Sequence, residues 1–306
     1  MFTPNQIQQI NNIIESRITF FMANYISPDL LSSEQKQMLK QAGVDVIKIN
    51  AKDTLIYQAF ALGMMSGAIP QSVLNKTSYN QFKKYLNSDK FIPLNTYEKA
   101  VITSIQTQSL SDIKGLSNRL EKFVNDTIAQ QQRQHFESTI RQEIETGTSQ
   151  KKSLRVISNE ISKKLGDFSR DFDRIVQYVS HQAFDEGRAA MIEKNYGEDA
   201  LVYKSPFPGA CKWCIKLYLT NGLGSKPIVY KLSQLKANGS NIGRKPNEWL
   251  PVVGNVHPYD RCQLEYLPDG YVWSDEEKQF VPGRVENKSG RKSKVRVEFN
   301  GKQYEV

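Results

Sequence analysis

The feature that most limits what this chain can fold into is a change of texture at Gly197. Before it, apolar residues recur every three or four positions; after it that period disappears, and Gly, Pro and short β-branched runs take over. A period near 3.6 buries one face of a helix, whereas short runs bounded by turn residues fit strands. The order, helices first and strands last, predicts an α+β fold.

The helical part can be read piece by piece. Thr3 and Pro4 supply an N-cap and a first-turn proline, and Ile7, Ile10, Ile14, Ile18 and Phe21 follow as one stripe that Pro28 stops. Ser32 with Gln35 has the spacing of a capping box, opening a helix that ends near Gly43. A further helix is expected from about Asp53 to Gly67, and only short pieces between Pro70 and Pro93. From Thr96 to about Gly147 the helical pattern is long, with a polar interval at Gln130–Gln134 that offers little to bury. Such a helix suits docking on partners or crossing solvent. After a break at Gly147–Gln150, two helices are expected, Ser153–Leu165 and Ser169–Asn195, the second closed by Gly197.

Beyond Gly197, strands are expected at Ala200–Tyr203 and Ile228–Lys231, with an extended segment at Trp249–Val253. The run from Lys294 to Val306 alternates on both sides of Asn300-Gly301, a pair suited to the type I′ turn of a β-hairpin.

The chain has three cysteines and three histidines, and all the cysteines fall in this helix-poor part. Cys211 and Cys214 form a C-x2-C pair behind the turn-making Pro208-Gly209; His257 and Cys262 form an H-x4-C pair. Three thiolates and an imidazole at two short spacings suit a closed tetrahedral site, so Cys211, Cys214, His257 and Cys262 are the expected ligands of a structural Zn2+. Unligated thiols in a reducing compartment and redox chemistry at the C-x2-C pair are the competing readings. A thioredoxin-like motif would start a helix after a strand in a βαβ unit, a context the sequence does not suggest. An odd cysteine number argues against a disulfide framework. His135 and His181 lie in helical stretches with no Cys or His three or four residues on, so each is expected to be an ordinary helical histidine.

Three segments are therefore expected: a helical docking region at 1–147, a small zinc-stapled mixed domain at 148–282, and a charged linker with a β-hairpin tail at 283–306. Composition is ordinary for a globular chain of 306 residues, 39% hydrophobic and 24% charged. The first residues lack the pattern of a secretory signal, and the longest apolar stretches, such as Ala59–Met65, are too short to span a bilayer. A soluble protein of a cytoplasm-like compartment, with no membrane partner, is the expectation. The net charge is +9, and over residues 201–306 Lys and Arg outnumber Asp and Glu by 17 to 10. A basic third favours phosphate backbones or acidic surfaces, and equally serves as a solvated face.

One arrangement of residues carries a resemblance. A helix with Ala183-Phe184-Asp185-Glu186-Gly187-Arg188, then a short strand, a C-x2-C loop and His257-Pro258-Tyr259-Asp260-Arg261-Cys262, is similar to the phage head-morphogenesis (Mu F-like) minor head proteins. The likeness spans about residues 150–268. Two departures from the family pattern stand out: Tyr178, Val179 and Ser180 stand where an Arg-Thr-Glu triplet is usual, and Asp260 replaces the first cysteine of the closing motif. The resemblance implies a structural, non-enzymatic component of the virion, at the portal vertex or procapsid interior, assembled in the host cytoplasm. Its implied partners are the portal or major capsid protein, met in several copies around a ring, and packaged DNA through the basic C-terminal third. The alternative is a zinc-containing nucleic-acid-processing enzyme or injected effector, which would need an open coordination position. No P-loop, dinucleotide fingerprint, G-x-S-x-G or H-E-x-x-H is present. A host-side DNA-binding module would need an Arg- and Lys-rich recognition helix, and none stands out.

Overall fold

The computed structural model describes residues 4–66, 76–88, 91–142, 150–257, 260–283, 296–299 and 302–305. Its helices are α1 (Pro4–Tyr25), α2 (Ser33–Gln41), α3 (Leu55–Ser66), α4 (Tyr79–Leu86), α5 (Thr96–Gln142), α6 (Gln150–Tyr196), α7 (Lys212–Tyr218) and α8 (Leu232–Ala237). The strands are β1 (Leu201–Ser205), β2 (Val229–Lys231), β3 (Gln263–Tyr266), β4 (Tyr271–Ser274), β5 (Gln279–Pro282), β6 (Arg296–Phe299) and β7 (Lys302–Glu305). The fold is α+β: a long helical region followed by a few antiparallel strands. No helix among the described residues is long and apolar enough to cross a membrane.

Two compact units emerge. One gathers residues 1–50 and 106–176, the other residues 51–105 and 177–306. The sequence suggests a cut at 147/148 instead. Both α5 and α6, each 47 residues long, contribute residues to both units.

In the first unit Ile10, Ile14 and Phe21 of the expected stripe on α1 are buried, while Ile7 and Ile18 are half-buried. Ile10, Ile14, Phe21 and Met22 are buried together with Ile113, Leu116, Leu120 and Val124 of α5 and Phe168 and Phe172 of α6. Phe21 stacks on Tyr25 at 4.8 Å and meets Phe172 edge-on at 6.2 Å. Ser32 closes the expected capping box, accepting from the Gln35 amide while the Gln35 side chain accepts from the Ser32 amide. The polar ladder is small; Gln106 Nε2 donates to the Tyr25 carbonyl at 3.0 Å in the interior.

The second unit depends on one very close helix crossing. A Cβ built at Gly63 would lie 1.9 Å from the Phe184 carbonyl oxygen, and one at Gly187 would lie 1.9 Å from that of Phe60. Only two glycines let α3 and α6 approach this far, which gives Gly187 of the Asp-Glu-Gly-Arg run a packing reason. On the other side, Ala189 and Ile192 of α6 pack with Val202, Leu232, Leu235, Val253 and Leu264. The sheet order is β2-β1-β3, antiparallel throughout, with Val202 opposite Tyr230 on one side and Tyr266 on the other.

Several expectations change. The two helices expected at Ser153–Leu165 and Ser169–Asn195 are one helix, α6, because Gly166 does not interrupt it; a lone Gly costs a helix only about 1 kcal/mol. Trp249–Val253 joins no strand. The mixed stretch before Pro93 contains α4, opened by a Ser78–Gln81 capping box. The hairpin β4–β5 is additional. The tail hairpin is present as β6–β7, Arg296 opposite Glu305 and Phe299 opposite Lys302; its Asn300-Gly301 turn, the linker after Gly283 and the break at 147–149 lie outside the described residues.

Candidate metal centre

Pro208-Gly209 makes the expected turn, with the Ala210 amide bonded to the Phe207 carbonyl at 2.9 Å and Gly209 at φ +90°. The chain then differs from a bare knuckle loop. Cys211 is the N-cap of α7 and its carbonyl accepts from Ile215 at 3.0 Å, so Cys211 and Cys214 sit one helical turn apart. The Cys211 side chain makes no capping bond and its sulfur turns to the other donors. A strand followed by a C-x2-C helix start is thus present, but the sheet is antiparallel, not the parallel βαβ of a thioredoxin-like site.

His257 comes to this helix from 43 residues away. Its Nε2 lies 3.2 Å from the sulfurs of both Cys211 and Cys214, which are 3.8 Å from each other. The imidazole stacks on Trp249 at 5.4 Å, and Trp249 in turn meets Trp213 edge-on at 6.2 Å. Trp249 Nε1 donates to the Arg244 carbonyl, and Asn241 exchanges two 2.9 Å bonds with the backbone of Leu250. The long insertion between the two ligand pairs is therefore itself folded, and it delivers the aromatic wall behind His257.

Cys211, Cys214 and His257 form one group of donor atoms within 4.8 Å of one another, and Cys214, Asp260 and Cys262 form a second. Cys214 belongs to both, but Cys262 does not share a group with Cys211 and His257, so three of the four expected ligands come together in one group. The Cys211–Cys214–His257 group can hold a metal ion. Cys214 and Cys262 are buried at 1% and 3% exposure, packed with Tyr218, Val252 and Val256. The hydrogen bond with Cys262, then burial, push the Cys214 thiol well above its ordinary pKa. Clustered thiols resist ionising together, and a bound cation relieves that resistance. Burial lowers the His257 pKa against the pull of Asp260, which keeps the ring in its neutral, ligating form.

Asp260 is not the surface residue its composition allows. It is 2% exposed, and its two carboxylate oxygens accept from the amides of Val256 at 2.9 Å and Cys262 at 2.8 Å. Its own amide donates to the His257 carbonyl at 2.9 Å. This carboxylate ties the backbone of Val256 to that of Cys262. His181 is half-buried on α6 and outside the cluster; the side chain of His135 lies outside the described residues.

Sequence reading missed Lys204, the most buried charged residue among the described ones. It has 0% exposure, and its Nζ donates to Asp185 Oδ2 at 2.6 Å, the Gly254 carbonyl at 2.6 Å and the Cys262 carbonyl at 3.3 Å. The signal was available: on β1 the two-residue period puts Lys204 on the same inward face as Val202. Burial opposes the Lys204 charge, but Asp185 and Asp260 outweigh it and hold its pKa above the ordinary lysine value. Next to this pair, burial and then the Asp185 charge push Glu186 up to about 7. Arg188 reaches Glu265 on β3 at 2.9 Å.

No family model matches the chain, and neither the curated proteins nor the solved structures contain a significant match to it.

Proposed function

We propose that the protein is a structural minor head protein of a tailed bacteriophage, acting in head morphogenesis, whose C-terminal domain is clamped by zinc. The observation that carries the reading is the Cys211–Cys214–His257 group, joined through Cys214 to Cys262, whose carbonyl shares Lys204 with Asp185 of the Asp185-Glu186-Gly187-Arg188 run. Those are the residues on which the resemblance to the Mu F-like family rests.

Zinc suits the donor set. Tetrahedral thiolates at 2.3 Å from zinc stand about 3.8 Å apart, and the Cys211–Cys214 separation is 3.8 Å. Cys262 supplies the third sulfur and His257 the nitrogen, a Cys3His set. Four protein ligands fill a tetrahedron, so the ion serves as a fold clamp with no position left for an attacking water. Zinc contributes folding free energy to a domain whose sheet has only three short strands.

In this reading the long helices dock on portal or capsid subunits around a ring. The basic C-terminal third lies against packaged DNA in the procapsid interior or at the portal vertex, after assembly in the host cytoplasm. Mass spectrometry of purified virions is the test: the protein is expected in low, fixed copy number, co-purifying with portal, and its absence from virions overturns the assignment. The purified chain is expected to carry one zinc. Metal-dependent cleavage of DNA or RNA that disappears in His257→Ala would replace this reading with the nucleic-acid-processing enzyme.

A further inference from the structure

The cluster outside the ligands themselves that carries most is the ion pair buried beneath them. We infer that Lys204 is the positioning residue of the metal loop: its ammonium gathers the loop's two ends before any metal arrives, and Asp185 anchors that ammonium to α6. The inference rests on the zinc-clamp reading above and deepens it.

The geometry is specific. The loop that supplies His257 and Cys262 begins at Gly254 and ends at Cys262, and Lys204 Nζ bonds the carbonyl oxygens of those two residues. The third donor position of the ammonium goes to Asp185, so all three N–H bonds are spent. Asp185 uses its other oxygen to accept from the Leu264 amide at 3.2 Å, two residues past Cys262. Asn255 adds a bond from its side-chain nitrogen to the Tyr178 carbonyl of α6 at 2.9 Å. Gly254 sits close under the same helix; a Cβ there would meet Gln182 at 3.0 Å and Glu186 at 3.6 Å. The loop is thus held at its start, its end and just beyond by α6 and β1, while Asp260 holds its middle.

A charge this deep is costly unless it organises its surroundings. A leucine or methionine would fill the same volume on β1 without the desolvation cost, but could not draw two carbonyl oxygens together. Groups that orient metal ligands from behind typically change metal affinity 10- to 100-fold when removed.

The experiment uses the purified full chain with zinc alone as the probe, its affinity read by competition with a chromophoric chelator. Co(II) substitution supplies a second readout through its thiolate charge-transfer band. Lys204→Met leaves Asp185 buried without a partner, so the double variant Lys204→Met/Asp185→Leu is measured beside it, because it buries no lone charge. The expected result is one tight zinc in the wild type and an affinity at least about tenfold weaker in the folded double variant, with an altered Co(II) band. A folded double variant that binds zinc as tightly as wild type, with an unchanged band, overturns the inference and leaves the zinc clamp standing. Failure of the wild type to bind zinc overturns the clamp reading itself. Should both variants fail to fold, hydrogen exchange on the wild type decides. The Leu264 amide, which reports the Asp185 anchor, is expected to be protected from exchange before zinc is added, and a Leu264 amide that exchanges freely in the metal-free protein overturns the inference.

Discussion

The two units solve the same problem with different means. In residues 1–50 and 106–176 the described buried side chains of α1, α5 and α6 are mostly apolar, a seam in which buried Gln106 bonds the Tyr25 carbonyl at the end of α1. Around the loop of His257 and Cys262, buried charges and thiols, Asp185, Lys204, Asp260, Cys214 and Cys262, sit among apolar residues such as Val202, Tyr218, Val252, Val256 and Leu264. An apolar side chain removed from the first leaves a cavity, whereas a polar group removed from the second leaves a desolvated partner behind.

The sharpest way to break this contrast is Gly187→Ala. The new methyl would meet the Phe60 carbonyl, a backbone atom that cannot swing aside. A loss of about 4 kcal/mol is expected in chemical denaturation, despite alanine's better helix propensity. Zinc affinity should fall as well, because Gly187 sits two residues from Asp185. Phe21→Ala removes a fully buried ring from the apolar seam and should cost about 3–4 kcal/mol. Its zinc affinity should stay at the wild-type value; a fall would show that the two interiors are not energetically separate.

Glu186 tests the polar interior through pH. Its folded pKa of about 7 lies above the ordinary 4.5, so between those values the folded state holds a proton that the unfolded state has released. Stability therefore declines as pH rises from about 4.5 to 7 and is level with respect to this group above that. Glu186→Gln should abolish that decline and stabilise the protein above pH 7 by about 1–2 kcal/mol, less than the full shift implies because the side chain keeps some water contact. Denaturation curves at pH 5 and 8 measure it. The smallest effect belongs to the seam's edge: Ser32→Ala removes the cap of α2 and should cost about 1 kcal/mol at any pH.

How far the sequence could be read follows the same contrast. Ile10, Ile14 and Phe21 announce their helix face through spacing alone, and Ser32 with Gln35 announces a cap, because both are relations within one turn or two. The Cys/His donors were legible for a similar reason, each pair being local. The continuity of α6 through Gly166 was not, since a single glycine weakens a helix without ending it. The short helix at Lys212–Tyr218 was hidden behind the turn that precedes it.

The amino-acid order by itself therefore determined the α+β class, the change of texture at Gly197, the apolar stripe of α1 and the candidate donors Cys211, Cys214 and His257. Tertiary structure alone decided that Cys211 starts a helix, that Asp260 braces the loop instead of facing water, and that Gly63 and Gly187 meet the backbone of a facing helix. It also decided that Lys204, an unremarkable lysine in the sequence, is the buried cation between α6 and the metal loop. The reason is physical. Periodicity and capping are set by neighbours a few residues away, whereas the Lys204 bonds span 19, 50 and 58 residues, and the need for such a charge exists only once three separate segments have been brought together.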